Sequence, residues 1–150
     1  MSSTCFQSYY HCVFATKRRE QLIAPEIQPH LHAYIGGIAR NHKIVPIAIG
    51  GMPDHVHLLL QMPSMLLVPR AMNLIKGSSS KWMNECYGNQ FWFDWQDGYG
   101  AFTIGHSQVN RTVAYIRNQK EHHDKFTFEY EYVKFLKKNG VKYDPKYLWD

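Results

Sequence analysis

The chain has 150 residues, of which 45% are hydrophobic and 15% aromatic, enough to build a packed core and to exclude wholesale disorder. Lys and Arg number 17 against 12 Asp and Glu, a net charge of +5 that favours polyanionic partners without naming one. A single domain over residues 1–150 is expected.

Tyr9 to Thr16 is aromatic and β-branched and reads as a strand. The basic turn Lys17-Arg18-Arg19 follows, and Pro25 opens a helix to about Asn41, with Ile27, Leu31, Tyr34, Ile35 and Ile38 at helical spacing. Ile44 to Ile49 is a second strand, which Pro46 confines to an edge or a bulge. Gly50 to Asp54 reads as a turn, and His55 to Gln61 (HVHLLLQ) as a third strand. After the turn residues Met62 to Ser64, Val68 to Tyr87 is helical, Gly88 to Gly98 an aromatic loop, and Tyr99 to Ile104 a fourth strand. Ser107 is placed to cap a helix from Gln108 to about His123. Phe128 to Asn139 is the last helix, with Gly140 in the preferred position just past its end. The order β-α-β-β-α-β followed by two helices predicts an α+β, ferredoxin-like antiparallel sheet with helices on one face and a C-terminal helical extension.

Cys5, Cys12 and Cys86 are odd in number and contain no Cys-x-x-Cys pair, which argues against a disulfide framework or a four-thiolate zinc site and fits the cytoplasm. Met1 to Gln7 has no basic segment followed by an apolar one, so no secretory leader is expected. No apolar run approaches the ~18 residues that span a bilayer, and no membrane partner is expected.

On a strand, residues two apart share a face, so His55 and His57 present two imidazoles side by side. His30 and His32 have the same spacing but lie in a helix, where residues two apart diverge; they read as surface or partly packed. Asp54 could orient one imidazole of the strand pair as a hydrogen-bond acceptor. Two imidazoles need a further ligand, and no cysteine stands at suitable spacing. Mixed imidazole and oxygen ligation suits Mg²⁺ or Mn²⁺ better than a closed zinc site. Tyr115 and Gln119, four apart in a helix, share one face: a phenol beside a neutral amide oxygen. A nearby cation, with Lys120 adding to it, would favour the phenolate.

Pro53-Asp54-His55-Val56-His57-Leu58-Leu59, then Lys76-Gly77-Ser78-Ser79-Ser80, then Tyr115-Ile116-Arg117-Asn118-Gln119-Lys120-Glu121-His122-His123 resemble the single-tyrosine transposases of the IS200/IS605 type. So does the ending, Phe135 to Lys138 and Tyr147 to Asp150. These enzymes belong to the wider His-hydrophobic-His nuclease superfamily. The resemblance implies that His55, His57 and Gln119 hold a divalent metal and that Tyr115 is the nucleophile. It implies an enzyme that nicks and rejoins single-stranded DNA through a 5′-phosphotyrosine, recognises hairpins at element ends, and works as a homodimer. The tyrosine helix of such dimers sits in cis or in trans.

Lys17, Arg18, Arg19, Arg70, Lys76 and Lys81 are candidates for phosphate contacts. Phe91, Trp92, Phe93 and Trp95 could stack bases or plug the core beneath a loop. Two rival functions share parts of this pattern: a domesticated, non-cleaving nucleic-acid-binding relative, and a metal-dependent hydrolase of small phosphate esters. Metal storage by nine histidines is disfavoured because they are dispersed along the chain.

Overall fold

The structure is a computed structural model that describes residues 2–149; Met1 and Asp150, the outermost residues of the two terminal stretches read above, lie outside it. Strands β1 (Tyr9–Ala15), β2 (Val45–Met52), β3 (His55–Gln61) and β4 (Gly100–Ile104) form an antiparallel sheet in the order β2-β3-β1-β4. Helices α1 (Gln28–Asn41) and α2 (Val68–Tyr87) connect them in the expected ferredoxin-like sequence. Helices α3 (Val109–Arg117), α4 (Gln119–His123) and α5 (Phe128–Lys138) follow.

Strand alternation divides the core into two layers. Cys12 and Phe14 of β1 with Val56, Leu58 and Leu60 of β3 face α1 and α2, where Leu31, Ile35, Met72, Ile75 and Met83 are buried. The alternate residues face the C-terminal helices: Val13, Ala15 and Phe102 meet Phe128, Tyr132 and Leu136 of α5, while Ala48 and Leu59 meet Ile116 of α3. The C-terminal extension is thus a third layer, closing the face of the sheet that a two-layer ferredoxin-like unit leaves open. This explains β3: covered on both sides, it is buried from His55 to Leu60.

Several local readings change. The Pro46 argument holds twice over, since β2 is an edge strand and its register with β3 shifts between Pro46 and Ala48. The turn read over Gly50 to Asp54 shrinks to Pro53 and Asp54. Gly50 pairs with His57 and Gly51 with Val56, so the strand runs on to Met52. Gly50 is needed for close approach rather than for turning: a Cβ there would lie 2.2 Å from the Ile116 carbonyl oxygen of α3. Gly50→Ala is expected to push α3 off the sheet and cost about 1–3 kcal/mol, as overpacking does. An unchanged urea midpoint would show that α3 is free to shift.

The helix expected from Pro25 begins at Gln28, and Ser107 caps nothing: it lies in the 3-10 turn His106–Gln108 that precedes α3. The expected helix to His123 breaks at Asn118 (φ −99°, ψ 25°). Gly140, at φ +65°, ends α5 in the left-handed conformation that glycine adopts without strain. The aromatic loop is mostly a plug. Phe93 and Trp95 are buried, Trp95 donates to Ser79 Oγ at 2.9 Å, and only Trp92 of the four aromatics is largely exposed. Among the described residues no helix is long and apolar enough to cross a membrane.

Candidate active site

Because they alternate with Val56, His55 and His57 point together into the layer between the sheet and α3 to α5, and both are fully buried. Each is held by its Nδ1. His55 Nδ1 donates to Asp54 Oδ1 at 2.7 Å, as the sequence suggested for that aspartate. His57 Nδ1 lies 2.8 Å from Nε2 of His11, a buried β1 residue on the same face. Both Nε2 atoms are thereby turned inward.

They meet the carboxylate of Glu131, which α5 carries into the interior and which is 2% exposed. Glu131 Oε1 is 2.9 Å from His57 Nε2, 3.6 Å from His55 Nε2 and 3.2 Å from His123 Nε2. Its Oε2 is 3.2 Å from His122 Nε2 and accepts a short hydrogen bond from the Tyr115 hydroxyl. Burial by itself would raise the Glu131 pKa, but the close imidazoles of His123 and His57 and the Tyr115 hydroxyl reverse this and hold it well below the usual range. Burial brings His57 down to about 4, against the opposing pull of Glu131, and His11 to about 3. The carboxylate is therefore the charged member of the cluster, and these two imidazoles are neutral at neutral pH.

Tyr115 reaches the same point from α3, its ring centroid 5.7 Å from that of His57 in the same chain. Its phenol is pushed up, chiefly by burial and then by the Glu131 charge and hydrogen bond. The expectation that Lys120 would favour the phenolate fails, since Lys120 is exposed and the residue facing the hydroxyl is an anion. Gln119 is not on one continuous helix with Tyr115, yet the break at Asn118 turns its carboxamide inward. Its Oε1 lies 3.1 Å from His55 Nε2 and its Nε2 lies 3.4 Å from Glu131 Oε2. His55, His57, Tyr115 and Gln119, nominated separately, are brought together.

Glu131, His11, His122 and His123 were not nominated. Glu131 sits in the first turn of α5 beside Glu129, where acids are common because they complement the helix dipole. His11 is hidden in an aromatic strand. Dispersed along the sequence, five of the nine histidines gather here in the fold.

The arrangement suits a divalent metal. His55, His57, His123 and Glu131 each offer a ligand atom, all within 4.8 Å of one another. The Gln119 Oε1 and the Glu131 carboxylate face imidazole nitrogens whose far side is already tied to a partner, so acceptors face one another unless a proton or a cation lies between.

The phosphate-contact candidates separate. Lys17, Arg18 and Arg19 form a 3-10 turn near Asp54 and His123, with Arg19 paired to Glu129 and 5.0 Å from the Trp149 ring. Arg70 and Lys81 are exposed on α2, across the sheet from the histidines. Lys76 is a correction: its ammonium donates to the Gln96, Asp97 and Gly98 carbonyls at 2.6, 3.0 and 2.9 Å, so it clamps the aromatic loop to α2. The cleft beside Tyr115 is lined instead by Arg111, Lys134 and Lys138, none of them nominated.

Residues 4–119 match the family described as "Transposase IS200 like". The chain belongs to the IS200-like transposase family. It is 29% identical over 125 residues to the ISDra2 transposase TnpA of Deinococcus radiodurans, covering 80% of this chain and 87% of that protein. It is 27% identical over 126 residues to the transposase for insertion sequence element IS200 of Salmonella typhimurium, covering 81% and 82%. Among solved structures, it resembles one from Deinococcus radiodurans assigned as a transposase, with TM-score 0.65, 27% identity, and 79% and 95% of the two chains covered. A REP-associated tyrosine transposase bound to a REP hairpin shares the fold, with TM-score 0.53, 20% identity, and 77% and 70% covered. The family match ends at Gln119, so Glu131 and α5, which complete the site, lie beyond it.

Proposed function

We propose that this IS200-like transposase acts as one cytoplasmic domain that nicks and rejoins single-stranded DNA through a covalent bond to Tyr115, on hairpins at the ends of a mobile element. The observation that supports this reading best is the convergence of the Tyr115 hydroxyl and the His57 Nε2 on the two oxygens of one carboxylate, Glu131. His55 and His57 would hold the metal, with the Gln119 carboxamide within reach as a third ligand. A divalent ion bound there, Mg²⁺ or Mn²⁺, would supply neutralisation of the charge developing on the scissile phosphate.

The chain's own groups perform the rest. Tyr115 attacks the phosphorus in line, the bond to the 3′ oxygen breaks, and a 5′-phosphotyrosine and a free 3′-hydroxyl result. Glu131 Oε2, which already accepts the phenolic hydrogen bond, orients the hydroxyl, and the proton released as the new bond to phosphorus forms is taken up by the departing 3′ oxygen. Without a metal, burial and the neighbouring Glu131 charge keep the phenol protonated. The linkage conserves the phosphodiester, and a second 3′-hydroxyl can reverse the step and reseal the strand.

Arg111, Lys134 and Lys138 line the approach to Tyr115 and fit phosphates of the incoming strand, while the Lys17–Arg19 turn flanks the other side of the cluster. A homodimer is the assembly expected of such an enzyme. In this single chain the Tyr115 ring lies 5.7 Å from that of its own His57.

The test is incubation of labelled single-stranded hairpins from candidate element ends with the protein and Mn²⁺. SDS-resistant adducts whose mass maps to the Tyr115 peptide support the reading; hairpin binding without any adduct would instead favour a non-cleaving relative. His11 is a positioning residue in this scheme, acting through His57 Nδ1. His11→Leu is expected to weaken Mn²⁺ binding about 10- to 100-fold, the usual cost of losing the partner that orients a ligating imidazole. Calorimetric titration showing unaltered affinity would remove it from that role.

A further inference from the structure

We infer that His123 and Glu131 are metal ligands alongside His55 and His57, so that the centre of this transposase carries a third imidazole and an anionic oxygen. The inference rests on the reading that His55 and His57 hold a metal, and extends it to residues beyond the family match.

The first argument is the tautomers. His55 Nδ1 is tied to the Asp54 carboxylate at 2.7 Å and His123 Nδ1 to the Phe126 carbonyl at 2.9 Å. Both partners only accept, so both Nδ1 atoms carry hydrogen and both Nε2 atoms offer a lone pair when the rings are neutral. His57 Nδ1 is likewise occupied, by His11. Three imidazoles from β3 and α4 are thus anchored on their outer nitrogen and aimed inward with the other, the arrangement by which proteins orient ligating histidines.

Distance is the second argument. Glu131 Oε1 stands 2.9, 3.2 and 3.6 Å from the Nε2 atoms of His57, His123 and His55. Ligand bonds of about 2.0–2.1 Å put neighbouring ligand atoms about 3.0 Å apart in octahedral geometry, which leaves positions for Gln119 and a phosphate oxygen, and about 3.3 Å apart in tetrahedral geometry. The three spacings bracket both edges. The third is a buried atom in need of a partner: the His123 side chain is 7% exposed, and its Nε2 lacks hydrogen-bond geometry to anything although the carboxylate is near.

The loops support the assignment. The chain between α4 and α5 is a short turn, closed by Asp124, Lys125 and Phe126 amides on Lys120 and His122 carbonyls, and Thr127 Oγ1 caps α5 from the Tyr130 amide. His123 and Glu131 are therefore fixed relative to each other before any ion arrives. Phe128 stacks on His55 with ring centroids 4.4 Å apart and covers that side of the cluster.

Three imidazoles with a carboxylate favour Mn²⁺, Co²⁺ or Zn²⁺ over Mg²⁺, which prefers oxygen ligands and retains its waters. The test is titration of the metal-free protein with Co²⁺, read by visible d–d absorption and calorimetry, for wild type, Glu131→Gln, His123→Ala and His57→Ala. Each of the first two substitutions is expected to weaken Co²⁺ binding by at least about 10-fold and to alter the spectrum, and wild type to bind Co²⁺ more tightly than Mg²⁺. X-ray absorption of the Co²⁺-loaded wild type should count three imidazoles, a readout that does not depend on whether a variant folds. Two imidazoles, together with wild-type affinity in Glu131→Gln and His123→Ala, would overturn the inference and leave the His55–His57 centre intact. Wild-type affinity in His57→Ala as well would overturn both.

Discussion

Tyr115→Phe is expected to form no covalent protein–DNA adduct, a fall of at least about 10³-fold, while binding the same hairpin within a few-fold of wild type. The substitution removes one oxygen and keeps the ring, whose edge contacts with His11, His57, His122 and Phe135 hold α3 in place. Glu131 loses one donor but keeps its histidine neighbours, so the cluster survives. Ten tyrosines are present, and Tyr9 is the one nearest in kind, on the same sheet face but bonded to His106. Gel analysis of SDS-treated reactions decides the matter. Equal adduct in Tyr115→Phe and wild type would move the nucleophile elsewhere, and Tyr9→Phe is then the next variant to compare. Small-ester hydrolysis that persists in Tyr115→Phe would point instead to water as the attacking group.

The separation between what the sequence disclosed and what it hid follows from the range of the forces involved. Strand β3 and helix α2 were read to their end residues because period-2 burial, period-3.6 burial and proline or glycine punctuation are local signals. The histidine pair was legible for the same reason, since two residues on one strand carry their own geometry. Glu131 was not. A glutamate in the first turn of a helix reads as a solvated acid until packing places it against imidazoles from β3, 74 positions away in the case of His57. The α5 stripe that drives it inward is itself local: Phe128, Tyr132 and Leu136 recur every four residues and bury against β1 and β4, carrying the intervening carboxylate with them. Gly50 shows the converse error. Its turn propensity is real, but a strand pressed against a helix backbone needs the missing side chain just as much. The Asn118 break has no pattern-level warning, and it matters because it changes which way Gln119 points.

Acid should destabilise the metal-free protein before its carboxylates are neutralised. Burial holds His11 at about 3 and His57 at about 4, against 6.5 for an unperturbed imidazole. His32, whose Nε2 is buried without a partner in α1, is held by burial at about 4. A histidine whose folded pKa lies below its unfolded one binds fewer protons folded than unfolded, so stability falls as pH drops from about 6.5 toward the folded value. His11 and His57 should each lose about 2–3 kcal/mol between pH 7 and pH 4.5, less than additively because they share a hydrogen bond. His123 opposes this, since Glu131 and the Phe126 carbonyl outweigh its burial and raise its pKa; its contribution is present in acid and lost as pH rises. Glu131, held low, contributes above its ordinary range and begins to lose that only below about pH 4.5, outside the histidine window. The net expectation is a loss on the order of 4 kcal/mol by pH 4.5, a large share of the 5–15 kcal/mol typical of a domain. Urea unfolding at the two pH values measures it, and equal stabilities would mean that these imidazoles are hydrated in solution. His11→Leu separates the causes: it should lower stability at pH 7 yet flatten the pH dependence, because the proton that acid would force onto the buried pair then has one fewer acceptor.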